Sequence, residues 1–227
     1  MAKVFIGVGH GGADSGAVGR GGLLEKDLNL SIAKACRAAL ERHGVTVKLS
    51  RAEDENDPVN EEVAECNSFA PDLAVDIHNN AGGGTGAETF YTIGGGTGKK
   101  LAENILAQLV TLGHKSRGAK TRTAANGSDY YAFIRNTKAP AVIVECAFVD
   151  SNDIERIDTE PERIAAGEAI ACGILLTLGI AYEAEKSPTV PLTIYRVQTG
   201  VFTKKSNAVA QAERLRAAGF DAIIVTT

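Results

Sequence analysis

The first thirty residues constrain this chain more than any other stretch. In "MAKVFIGVGHGGADSGAVGRGGLLEKDLNL" a short apolar run from Val4 to Val8 leads to His10, a loop saturated with glycine follows, and Glu25 stands where a helix must begin. The run reads as a buried strand, being short, β-branched and bounded by glycine. Glycines from Gly7 to Gly22 let the backbone turn tightly and approach something closely, at an entropic cost that calls for a reason. The reason adopted here is a metal ion, held by one ligand at each end of the loop. Gly7, Gly9 and Gly12 do satisfy G-x-G-x-x-G. The dinucleotide fingerprint, however, needs a helix to start inside the motif, with its N–H groups facing a pyrophosphate. Here small residues continue to Gly22, so no helix can start before about Leu24. A P-loop is excluded because neither Lys-Ser nor Lys-Thr follows the glycines.

From Glu25 onward, "EKDLNLSIAKACRAALERHG" puts Leu28, Ile32, Ala35, Ala39 and Leu40 on one helical face. Glu25 and Asp27 suit its first turn, and Arg42, His43 and Gly44 end it, which makes His43 a helix-terminus residue. "VTVKLSR" alternates as a second strand, and a helix opens at Pro58 and runs through Phe69 to a stop at Pro71. "DLAVDIHNN" is a third strand that again runs out in a histidine, His78. After a second glycine cluster come a strand, "ETFYTI", and an amphipathic helix, "GTGKKLAENILAQLVTLG". His114, just past Gly113, is expected at the surface without a partner. Residues 114–140 read as one long irregular connection, which at that length is functional or mobile. "AVIVECAFV" is the most apolar strand, with Glu145 in its middle, and a helix from Pro161 to Leu178 closes the domain. Alternating strands and helices predict an α/β domain with a mostly parallel sheet covered by helices on both faces. That domain spans 1–180, and the charged, twice-proline segment 181–191 reads as a linker.

A chain of 227 residues can bury a sizeable core. Its net charge of -4 and pI of about 5.6 argue against a nucleic-acid partner. No apolar run approaches the ~18 residues of a membrane span, and no basic and apolar leader of the Sec type is visible. The four cysteines lack CxxC spacing. Cys36, Cys66 and Cys172 fall on apolar helix positions, so neither a zinc ribbon nor a disulfide framework is expected.

Ligand sites in parallel sheets lie at the carboxyl ends of the strands, so His10 and His78 should share one edge. Together with Glu25 they supply two histidines and one glutamate, a known zinc-ligand set that leaves a position for water. Bound zinc would bring the water's pKa toward ~7 and polarise a carbonyl under attack. Glu145, flanked by Val142, Ile143, Val144 and Cys146, is expensive to bury unless something compensates it. A nearby zinc–water pair would do so, and the carboxylate could then carry the water's proton to a leaving amine. A structural ion pair with Arg or Lys is the other reading of Glu145. Each histidine alone reads more readily as a capped or hydrogen-bonded strand-end residue, and only the pair, with the glycine loop and a buried Glu, brings ligation level with that reading. A serine hydrolase would want a G-x-S-x-G elbow, which is absent. Cys146 adjoins Glu145 on a strand and so points to the opposite face.

Three segments in order, "VGHGGADSGAVGRGGLLEKDLNL", "DIHNN" and "AVIVECAFVDSNDI", resemble the zinc-dependent N-acetylmuramoyl-L-alanine amidases of the type-3 family, found in bacterial autolysins and phage endolysins. The resemblance covers about residues 2–180. It implies one zinc ion on His10, Glu25 and His78, a catalytic Glu145, and a twisted, mostly parallel sheet between helix layers. The implied substrate is bacterial peptidoglycan, cut at the amide joining the lactyl group of N-acetylmuramic acid to L-alanine of the stem peptide. Asn80 matches a family asparagine that orients substrate or loop. "RGAK" (Arg117 to Lys120) and Tyr130 resemble the substrate-side segment, although Tyr130 serves equally well as a packing residue. The chain departs from the family at Gly7-Val8, where Asp-Pro is common, and at Ala147, where Gly is common. A wall-binding module without turnover and a zinc amidohydrolase acting on another amide are the alternative functions. Residues 192–227 resemble one strand-helix-strand half of a SPOR-type repeat, whose uncovered apolar face suggests a homodimer through a shared sheet, with packing on the main domain or disorder as alternatives. The expected route is synthesis in the cytoplasm and action on the wall after phage or mother-cell lysis.

Overall fold

In a computed structural model, which describes residues 1–184, 199–220 and 222–224, the opening apolar run becomes strand β1 (Lys3–Val8). It lies inside one six-stranded sheet with β2 (Thr46–Leu49), β3 (Leu73–Asn80), β4 (Ala87–Tyr91), β5 (Ser116–Lys120) and β6 (Ala141–Phe148), in the order β2-β1-β3-β6-β4-β5. Neighbouring strands pair parallel except β4 with β6, so the β4–β5 pair runs against the other four. The sheet is therefore mostly parallel. Val8 registers with Ile77, which sets the carboxyl ends of β1 and β3 side by side.

Alternation along these strands sorts the core into two layers. The helices are α1 (Glu25–Arg42), α2 (Val59–Phe69), α3 (Gly96–Thr111), α4 (Ala132–Asn136) and α5 (Glu160–Leu178). Val4, Ile6, Val75, Ile77, Val142 and Val144 face α1, α3 and α5. Phe5, Ala74, Ala141 and Ile143 face α2 and α4, meeting Val63, Cys66, Phe133 and Ile134. Both faces are covered, as the sequence pattern predicts. α5 begins with a capping box between Thr159 and Glu162 and ends at Gly179 in the left-handed conformation. His43 closes α1 as its C-cap, with Nδ1 bonded to the Ala39 carbonyl at 2.7 Å.

Three expectations need correction. Residues 114–140 are not one irregular connection, because they contain edge strand β5 and helix α4. β5 has no apolar alternation to reveal it, being exposed or only partly buried along its length at the sheet margin. His114 is buried rather than exposed, and hydrogen-bonds to the Cys146 backbone. Gly113 takes a positive φ of 89 just before it. Cys36 and Cys66 are core residues, but Cys172 is only half-buried.

The chain divides into units Met1–Glu185 and Lys186–Thr227. In the second, the described residues include one helix, α6 (Lys205–Ala217). The first expected strand and most of the linker lie outside the described residues. Of the second strand, residues 222–224 are described and carry no strand pairing. Among the described residues no helix is long and apolar enough to cross a membrane.

α5 approaches α3 closely at Gly173, where a Cβ would stand 2.6 Å from the Ile105 backbone nitrogen. Gly173→Ala should therefore destabilise the chain by about 1–3 kcal/mol through overpacking. Alanine's helix propensity alone would favour folding by about 1 kcal/mol. A lower urea midpoint with an unchanged slope is the expected readout.

Candidate metal centre and active site

On the α2 and α4 side of β1 the side chains are Phe5, then Gly7 and Gly9. A Cβ on Gly9 would overlap the His78 imidazole, and one on Gly7 would overlap Glu62 Oε1 and stand 2.8 Å from Asp76 Oδ1. The G-x-G pattern is thus explained by close approach. It clears room on β1 for the longer side chains of β3. Past the strand, His10 adopts φ 64, a left-handed conformation uncommon for a non-glycine residue that clusters at functional sites.

Glu25, the first residue of α1, is buried between the two histidines. Its Oε2 lies 3.3 Å from His10 Nε2 and its Oε1 3.3 Å from His78 Nδ1. The rings meet edge to face with centroids 5.1 Å apart. One donor atom from each of the three residues lies within 4.8 Å of the others. Two imidazole nitrogens and a carboxylate oxygen suit zinc, and three such ligands leave a coordination position open. The residues fit that ion. The Glu25 carboxylate is fixed by backbone N–H groups, of Asn79 to Oε1 at 3.0 Å and of Ala17 to Oε2 at 2.9 Å. Burial alone would raise its pKa, but the hydrogen bonds to His10 and His78 hold it well below the usual carboxylate range. Behind the rings stand two more carboxylates, Asp14 on His10 Nδ1 at 2.8 Å and Asp76 on His78 Nε2 at 3.1 Å.

Glu145 is the register partner of His78 across β3 and β6, and of Glu88 across β6 and β4. The three form a row over adjacent strands. Among the described residues no ion pair joins Glu145 to Arg or Lys, and its Oε2 is buried without a hydrogen-bond partner. Burial pushes its pKa up to about 7. The cations go to Glu88 instead, where Arg117 Nε lies 3.0 Å from Oε2 and Lys120 Nζ binds the same oxygen. Asn80 donates to the other oxygen of Glu88 at 2.7 Å and accepts from Ala81 N–H at 3.0 Å. Two of the sequence-predicted substrate residues, Asn80 and Arg117, are therefore gathered by Glu88. Tyr130 has its ring 3.7 Å from the Arg122 guanidinium and meets Tyr131 edge to face. A cleft of about 300 Å³ opens beside His10, Asp14, Glu62, Asp76, His78 and Tyr131.

Sequence reading missed the scaffold of the glycine loop. Arg51, 2% exposed, donates to the carbonyls of Val8 (3.0 Å), Gly9 (3.3 Å) and Lys26 (2.8 Å), clamping β1's end to the start of α1. Asp54 and Asn56 accept from the N–H groups of Gly12 and Ala13, and Lys26 bonds both Gly12 O and Asp54. The one available signal is position, since Arg51 lies two residues past the end of β2, on the same carboxyl edge. Arg51→Met removes all three bonds, leaving Gly9 O with the Asn29 Nδ2 donor at 2.9 Å, and should cost about 3 kcal/mol. A denaturant titration should show it, with Arg51→Lys intermediate.

The Amidase_3 family, described as N-acetylmuramoyl-L-alanine amidase, matches residues 4–175. N-acetylmuramoyl-L-alanine amidase CwlM of Bacillus licheniformis is 36% identical over 99% of this chain and 85% of its own, so the match continues into the C-terminal unit. The endolysin of Bacillus phage SPP1 is 34% identical over 83% of this chain and 73% of its own. Among solved structures, N-acetylmuramoyl-L-alanine amidase AmiC2 of Nostoc punctiforme superposes with a TM-score of 0.71 at 33% identity, covering 78% of this chain and 97% of that one.

Proposed function

The chain belongs to the Amidase_3 family of N-acetylmuramoyl-L-alanine amidases and is a peptidoglycan amidase, and from that premise we propose that it works as a zinc enzyme with Glu145 as its proton carrier. One observation carries the reading: the donor atoms of His10, Glu25 and His78 converge within 4.8 Å, beside a buried carboxylate that has no hydrogen-bond partner at Oε2. A zinc ion held by these three residues would supply Lewis acidity to the water and carbonyl at the site. The remaining chemistry belongs to the chain. Glu145, with a pKa of about 7, is basic enough near neutral pH to take a proton from the attacking water and acidic enough to release it. The water oxygen bonds to the lactyl carbonyl carbon, the C–N bond to L-alanine breaks, and Glu145 delivers the proton to the departing amine nitrogen. A wall-binding module would need neither converging ligands nor a buried acid left without a counter-ion.

We place the stem peptide along the wall made by Asn80, Glu88, Arg117 and Lys120. Two cations against one carboxylate leave one positive charge, suited to a free carboxylate of the peptide. Tyr130, 47% exposed and packed edge to face on the cleft residue Tyr131, would contact the substrate. Release onto the wall at cell lysis is the route proposed. The tail is proposed to pair with that of a second copy, so the native mass should rise with concentration and stay monomeric once residues 190–227 are removed.

Dye release from labelled cell walls should vanish with a chelator and return with zinc. The muropeptide product should have the mass of a free L-alanine amine terminus. Glu145→Gln should lower kcat by about 10²–10⁴-fold with bound zinc unchanged. Full turnover in that variant, or release insensitive to chelation, would overturn the mechanism.

A further inference from the structure

The two histidines are backed by unequal carboxylates. Asp14, behind His10, has a side chain 68% exposed, whereas that of Asp76, behind His78, is 4% exposed. An exposed pair is screened by water and salt, and a buried one much less so. The single hydrogen bond to the Asp76 side chain among the described residues comes from the His78 ring. Its second oxygen, Oδ1, is buried without a partner and turns toward bare Gly7. Glu62 Oε1, likewise buried and unpartnered, closes on the same space from α2. An apolar residue at position 76 would avoid the cost of burying a charge with one oxygen unsatisfied. Stability therefore does not account for Asp76, and the ring it holds does.

We propose that Asp76 is a positioning residue of the metal centre: it accepts the Nε2–H of His78 and so fixes the tautomer whose lone pair is on Nδ1, the nitrogen that faces Glu25. Asp14 does the same for His10 through Nδ1, presenting Nε2, but from solvent and with less effect. Gly7 belongs to this arrangement, since any side chain there would displace the carboxylates of Glu62 and Asp76. Asp76 itself is not a member of the converging donor set, so it acts through the imidazole. The inference rests on His10, Glu25 and His78 being the zinc site, and deepens that reading.

The experiment is a zinc titration of the full chain against a chromogenic chelator, with a spectroscopic readout of the ring. Asp76→Ala should weaken zinc binding by about 10–100-fold, in the range found when such supporting partners are removed. Asp14→Ala should weaken it less, and Asp76→Asn should fall between wild type and Asp76→Ala because its amide oxygen still accepts Nε2–H. In the zinc-loaded wild type, long-range ¹H–¹⁵N spectra of labelled histidine should place the His78 proton on Nε2. Equal zinc affinity in wild type and Asp76→Ala, or the proton on Nδ1, overturns the role of Asp76. Failure of the wild-type chain to bind one zinc overturns the metal site itself, which is a separate result. If Asp76→Ala does not fold, Asp76→Asn decides alone: weaker zinc binding supports the proposal, and unchanged binding sinks it.

Discussion

Burying the Glu25 carboxylate between two imidazoles requires three elements to meet at one point. β1 must end beside β3, and the first turn of α1 must arrive over that edge. The parallel register of Val8 with Ile77 meets the first demand. The second is met by the loop between β1 and α1, which Arg51 ties down through three buried carbonyls and Asp54 and Asn56 hold by its N–H groups. Once there, Glu25 is at a helix start, where backbone N–H groups favour an anion. The dipole and the hydrogen bonds from Ala17 and Asn79 all favour the charged form, which is the form a cation needs.

The same face carries an excess of acids, and each is handled differently. Glu88 is neutralised by Arg117 and Lys120 and kept below its ordinary range despite burial. Glu62 is pushed well above its ordinary range, by burial first and then by Asp76. Glu145 has no ion pair to Arg or Lys among the described residues and sits near neutrality at about 7. Chemically similar side chains on one surface thus acquire three different proton affinities from their neighbours alone, and pairs driven apart in this way are the usual mark of acid–base work.

Much of this was legible in the sequence because it lies in short-range pattern. Apolar runs ending in His10 and His78 locate two strand ends, and the glycine loop closing on Glu25 locates a helix start. Helical faces in α1 and α3 repeat at the expected spacing. What was illegible depends on contacts between distant residues. β5 shows no alternation because an edge strand has little to bury. Arg51, Asp76 and Glu88 look like ordinary surface charges until the fold places their partners. The glycine at position 7 acquires a cause only when Glu62 and Asp76 are seen to fill the volume a side chain would need.

The antiparallel pair β4–β6 bears on why an acid can occupy the middle of the most apolar strand. The chain leaves β3 at the ligand edge, turns through 81–86, and runs back as β4 on the far side of β6. That turn is stapled by the segment following β6: Asp150 accepts from Gly82 and Gly83 N–H, Asp153 accepts from Gly86 N–H, and Ser151 donates to Gly84 O. β6 is therefore enclosed by β3 and β4 at the level of Glu145, with His78 on one side and Glu88 on the other. A parallel neighbour would need a crossover to reach the same place and would carry its own carboxyl end to the rim. The reversed strand instead brings Glu88, and through it Arg117 and Lys120, alongside Glu145 while leaving its carboxylate uncompensated. The sheet topology thus holds both cations on Glu88, next to Glu145 in register but paired with its neighbour.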